Sequence, residues 1–84
     1  MGKELIGKIT HFFPKISVAV VSLTGQLKVG DKISIEKGDQ VIEQEVKSMQ
    51  VEHKNIEVAK PGDDVGMKTD GEVKEGSEVY KVIE

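Results

Sequence analysis

Leu27-Lys28-Val29-Gly30-Asp31-Lys32-Ile33 is the stretch on which the reading of the fold turns. It runs apolar, Lys, any residue, Gly, polar, any residue, apolar, and it leads into an alternating segment. Val73-Lys74-Glu75-Gly76-Ser77-Glu78-Val79 is a near copy, and Val58-Ala59-Lys60-Pro61-Gly62-Asp63-Asp64-Val65 is a third variant. In each, Gly follows Lys by two positions and an apolar residue follows Gly by three. Gly tolerates positive φ and close backbone approach. The pattern therefore predicts one kind of tight corner turned three times before a strand, with Gly30, Asp31, Gly62 and Gly76 as corner residues.

Outward from these corners the chain reads as short strands. Residues 5–13 open as a strand in which Leu5, Gly7, Ile9, His11 and Phe13 share one parity. Gly7 within it marks a bulge or a close backbone crossing. Pro14-Lys15 breaks the run. Residues 16–23 form a second strand, rich in β-branched side chains. Its phase changes at Val20-Val21, which a bulge there or burial on both faces explains. Residues 32–36 alternate cleanly, and Gly38-Asp39 reads as a hairpin turn. Residues 41–51 form the longest expected strand, with a bulge at Lys47-Ser48 to account for its broken parity. A polar loop at 52–55, short strands near 56–58 and 65–67, a turn at Asp70-Gly71 and a final strand at 78–83 complete the chain. Residues 41–49 can be set on a helical period, but the preceding Gly-Asp turn and the Val and Ile content favour a strand. The expectation is an all-β fold: a small closed or nearly closed six-stranded antiparallel Greek-key barrel, one domain over residues 1–84. Closure would remove the exposed edges of so small a sheet.

Composition narrows the function classes. With 84 residues, 37% of them hydrophobic, one small core is affordable. There is no Cys, so neither disulfides nor Cys-ligated metals enter. The first residues carry no long apolar run, so no signal peptide is expected and a cytoplasmic location is. No apolar stretch approaches the roughly 20 residues of a membrane span. Net charge is −3, which argues against nonspecific nucleic-acid binding. Residues 1–37 carry six Lys against three acids, a balance of +3, whereas residues 38–84 carry six Lys against twelve acids, a balance of −6. All twelve basic residues are Lys, so bidentate Arg recognition of phosphate or guanine is excluded.

No catalytic motif emerges. The phosphate-loop pattern is missing, so no GTP binding of the usual kind is expected, and the nucleophile-elbow and two-histidine zinc patterns are missing too. His11 and His53 fall on different expected elements, without ligand spacing. Asp63 and Asp64 are adjacent, so they point apart and suit backbone capping better than paired acid–base work. No catalysis, metal or cofactor is expected. The most unusual segment is His11-Phe12-Phe13-Pro14-Lys15, which holds both Phe residues of the chain. Lys8, His11, Phe12, Phe13 and Lys15 form a candidate binding face, an aromatic rim between two lysines suited to stacking a base. Alternatively, one Phe packs inside the fold and the other covers its end.

The order of elements resembles the second domain of translational GTPases, the β-barrel that follows the G domain in elongation factor Tu. The resemblance is carried by Leu5-Ile6-Gly7-Lys8-Ile9, by Gly25-Gln26-Leu27-Lys28-Val29-Gly30-Asp31-Lys32-Ile33, by Val46-Lys47-Ser48-Met49-Gln50 and by Ala59-Lys60-Pro61-Gly62-Asp63-Asp64-Val65-Gly66-Met67. It is similar in this to stand-alone translation elongation factor-like proteins. A similar barrel forms the C-terminal domain of some collagenase-like peptidases. The first resemblance implies a non-catalytic translation module that docks on tRNA, the ribosome (its RNA or a ribosomal protein) or a translation factor. The second implies a protein–protein or accessory substrate-handling barrel. The G domain has no counterpart here, and no tRNA-contacting residue is carried over from the barrel.

Overall fold

The computed structural model describes residues 2–52 and 54–83. Ten strands follow in order: β1 (Gly2–Phe13), β2 (Val18–Leu23), β3 (Leu27–Lys28), β4 (Lys32–Lys37), β5 (Gln40–Glu45), β6 (Met49–Val51), β7 (Lys54–Ile56), β8 (Val58–Ala59), β9 (Asp64–Lys68) and β10 (Glu78–Ile83). No helix occurs among the described residues. Eight strands form one antiparallel sheet in the order β5-β4-β10-β1-β2-β9-β6-β7, and β3 pairs with β8 in a two-stranded sheet. The all-β, antiparallel expectation holds. The closed six-stranded barrel does not, because β5 and β7 are separate edges of an open sheet.

The segment 41–51 explains the difference. It is not one bulged strand. β5 pairs with β4, whereas β6 pairs with β9 and β7, so Val46-Lys47-Ser48 carries the chain from one edge region of the sheet to the other. Three residues span little distance, so the sheet is strongly curled. The backbone of Val46 is taken out of the ladder by Gly30 and Asp31. Gln44 spans the gap instead: its side chain donates to the Lys68 carbonyl at 3.0 Å and accepts from the Asp70 N–H at 2.8 Å. A buried side-chain amide thus stands where a neighbouring strand would be, and Gln44 is only 7% exposed.

The phase of β1 also differs from strict alternation. Ile6, Ile9 and Phe12 face or border the core, while Leu5 and Phe13 are exposed. Two register shifts cause this, between Leu5 and Gly7 against β10 and between Ile9 and His11 against β2. Each inserts one unopposed residue, and each turns the inward period from two to three. The irregularity expected at Val20-Val21 therefore sits across the ladder, at Thr10 in β1. In β2 itself Ala19, Val21 and Leu23 are buried in regular alternation. Gly7 is also a close crossing: a Cβ there would lie 2.8 Å from the Ser22 carbonyl oxygen.

The core gathers these inward residues with Leu27, Ile33, Ile35, Val46, Met49, Ala59, Val65, Met67, Val73 and Val79. Full burial of a side chain such as Leu27 stabilises by about 1.5–3 kcal/mol. Leu27 and Ala59, opposite each other in the β3–β8 pair, join the small sheet to the same core.

Three corners lock the frame. Gly30, Gly62 and Gly76 have φ of 97°, 94° and 86°, a region that L side chains avoid. In each, the N–H three residues after Lys returns to the Lys carbonyl: Asp31 to Lys28, Asp63 to Lys60 and Ser77 to Lys74, all at 3.1 Å. Asp31 and Asp63 also accept from the N–H groups of Lys28 and Lys60, whereas Ser77 Oγ donates to the Lys74 carbonyl. Each corner then grips one buried residue by two backbone bonds. Gly30 donates to the carbonyl of Val46, Gly62 to that of Leu23 and Gly76 to that of Ile9. In return, those residues donate to the carbonyls of Asp31, Asp63 and Ser77.

Candidate functional site

The turn between β1 and β2 is built differently. Pro14 and the residues to Ser17 form it, and Ser17 adopts φ of 54°. Its one backbone bond within the turn, from Ile16 N–H to the Phe13 carbonyl, is 3.3 Å long. Phe13 is 43% exposed and Ile16 60%. They begin a groove of about 290 Å³ that continues over Val18 and Val20 of β2, Asp64 and Gly66 of β9, and Gln50 and Glu52 at β6.

The ladder explains this composition. Ala19 and Val21 point into the core, so Val18 and Val20 take the outer face. Gly66 lies opposite Val20 on one side and Gln50 on the other. With no side chain at Gly66, the outer face dips between the two neighbouring strands. A Cβ there would meet its nearest atom, Val18 Cγ1, at 3.5 Å, so the space is open to a small group. Glu52 bounds the groove with φ of 52°.

The five residues of the expected binding face do not form one surface. Phe13 and Lys15 line a depression at the turn, together with Pro14 and Ile16. The His11 ring is tilted against that of Phe13 at 4.4 Å between centroids, and its Nδ1 lies 2.8 Å from Glu75 Oε2. Phe12 points the other way and packs against the core. Lys8 lies beyond the Thr10 bulge, in another depression with Leu5, Gly7, Ser22, Thr24 and Glu78. Gly30, Asp31, Gly62 and Gly76 belong to the corners described above. His53 lies outside the described residues.

Ionisable chemistry is sparse. No group of three His, Cys, Asp or Glu side chains that could hold a metal occurs among the described residues. The perturbed groups lie away from the groove, on β1 and β4. The hydrogen bond from Lys3, and then that from Ser34 Oγ, lowers the Glu36 carboxyl, and the same bond to Glu36 raises the Lys3 amine. Lys3 also sits over the Tyr80 ring, 5.1 Å from its centroid. This cluster ties β1, β10 and β4 together. No described helix is long and apolar enough to cross a membrane.

The turn is legible in the sequence because aromatics and Lys are crowded there. The outward position of Ile16, Val18 and Val20, and the far side of the groove, are not legible there. Gly66, a glycine inside a strand, was the available signal.

No family model matches the chain. The uncharacterized protease MJ0090 of Methanocaldococcus jannaschii is 45% identical over 80 residues, a match that covers 94% of this chain and 20% of that protein. The chain thus spans about a fifth of the length of this curated relative. The C-terminal domain of a Geobacillus thermoleovorans protein assigned as a U32 peptidase superposes with a TM-score of 0.88 at 17% identity, over 95% of this chain and 93% of that domain. Its selenomethionine variant gives the same score and identity, over 93% of this chain and 99% of that one. These likenesses overturn the translation-factor reading. The corner motifs that carried the elongation-factor resemblance fit a fold that a peptidase C-terminal domain also adopts. A Lys-x-Gly turn before a strand reports backbone geometry and carries no information about partner.

Proposed function

We propose that this chain is a non-catalytic accessory domain that works beside a peptidase and holds polypeptide for it. One observation carries the reading: a 45% identity match over nearly the whole chain lies inside a protease about five times as long. The fold likeness to a peptidase C-terminal domain supports it. So does the apolar groove on the outer face of the sheet. An accessory site that holds a long substrate raises its local concentration at a separate catalytic centre.

A domain replacement tests this. The segment of the Methanocaldococcus jannaschii relative that matches this chain is deleted, or replaced by this chain, and cleavage of casein and of a short peptide is followed. Deletion should raise KM for casein by about tenfold and leave the short peptide unaffected, as loss of a tethered site predicts. Replacement should restore casein cleavage. Equal loss on both substrates, or failure of the replacement to restore, would reject the accessory reading.

A further inference from the structure

We propose that the groove across β2, β9 and β6 takes an extended segment of the substrate polypeptide in which an apolar side chain adjoins a lysine or arginine. That the segment belongs to a peptidase's substrate rests on the accessory reading above. The pocket chemistry stands on its own.

The groove has two unlike sides. Phe13, Ile16, Val18 and Val20 supply apolar surface, and Glu52 and Asp64 supply carboxylates. Neither carboxylate has a cation partner among the described residues. The chain has twelve Lys, yet none lines this groove; Lys15 borders the neighbouring depression and Lys68 lies outside the lining. A cationic ligand therefore gains attraction here, and phosphate or an acidic peptide meets repulsion. Removing apolar side chains from water adds affinity without sign preference. Together these select a segment that is both apolar and basic.

The floor selects an extended chain. Gly66 lets a backbone approach the sheet closely between Val20 and Gln50. Neighbouring strands lie about 4.8 Å apart and an extended peptide advances about 3.3 Å per residue, so three strands accommodate a few residues. Ser17 and Glu52 are the two non-glycine residues with positive φ among those described. Ser17 precedes Val18 of the lining, and Glu52 is itself part of it. Unfavourable backbone conformations concentrate where a surface is shaped for a ligand.

The test uses the whole 84-residue chain and three synthetic probes: an acetylated, amidated pentapeptide alternating Lys and Leu, the same peptide with Glu for Lys, and an oligouridylate. Backbone amide shifts are followed during titration. The Lys-Leu peptide should shift Val18, Val20 and Gly66, and the Glu-Leu peptide should bind at least about tenfold more weakly, the scale of a lost charge pair. Gly66→Val should abolish binding while melting is retained, since a β-branched residue suits a strand. If Gly66→Val does not fold, the double change Glu52→Gln with Asp64→Asn should bring the affinities of the two peptides together. Equal binding of the peptides to the native chain, tighter binding of oligouridylate, or shifts confined to another face would overturn the proposal. Peptide binding with a failed domain replacement would support the groove and remove the accessory reading. A successful replacement without peptide binding would do the reverse.

Discussion

Two kinds of turn divide this molecule. At Gly30, Gly62 and Gly76 the chain reverses with positive φ and fastens itself to a buried residue by two backbone hydrogen bonds. At residues 14–17 it reverses with one long bond of its own and leaves Phe13 and Ile16 in solvent. The first kind satisfies backbone groups that would otherwise be stranded near the core. The second is tied to the rest of the fold at its end alone, where the Ser17 carbonyl accepts from the Thr69 N–H at 2.8 Å, and it keeps apolar surface exposed. In a small sheet, the turns with the fewest commitments are where an interaction surface can be placed without loss of stability.

Substitutions can break or sharpen this contrast. The largest effect is expected for Gly62→Val, which forces a β-branched residue to φ of 94°. It should cost about 2–3 kcal/mol in urea unfolding. A cost below about 0.5 kcal/mol, within the range of an ordinary surface change, would mean the corner relaxes and is no lock. Gln44→Leu comes next. It removes the donor to Lys68 and the acceptor for Asp70, and it should cost about 1–2 kcal/mol because two backbone groups lose their partner. A neutral result would show that the gap is held by packing alone. Ile16→Ser should be smallest, within about 0.5 kcal/mol, as for surface positions without a special role. A loss of several kcal/mol there would make the β1–β2 turn a structural element like the others.

Legibility in the sequence follows the same division. All-β architecture could be read from the alternating runs and Gly turns, because period-two patterning reflects one-sided burial directly. The spacing of Ile6, Ile9 and Phe12 could not, because two bulges against two different neighbours reset the phase. Sheet closure was misjudged for a related reason. Residues 41–51 read as one strand, and nothing local says that Val46 gives its backbone to a corner fifteen positions earlier. The groove was half legible. Phe13 draws attention by composition, whereas Glu52, Asp64 and Gly66 acquire their role only from the order of β2, β9 and β6. The partner class was misread because a Lys-x-Gly corner fixes backbone geometry and does not specify a partner.

The position of β1 has one more consequence. It lies at the middle of the large sheet, with β10 on one side and β2 on the other, and Gly2 stands opposite Ile83. On a ribosome, β1 is made before the other strands of this sheet, and its neighbour β10 is made after them. Until then β4 also lacks its inner partner, and one edge of each strand stays unpaired. The cooperative step is therefore postponed until the chain through β10 has left the exit tunnel. Pairings this distant in sequence are slow to form, since loop closure must precede any gain from them. Synthesis order thus sets a period of vulnerability to aggregation and proteolysis that the finished sheet does not share.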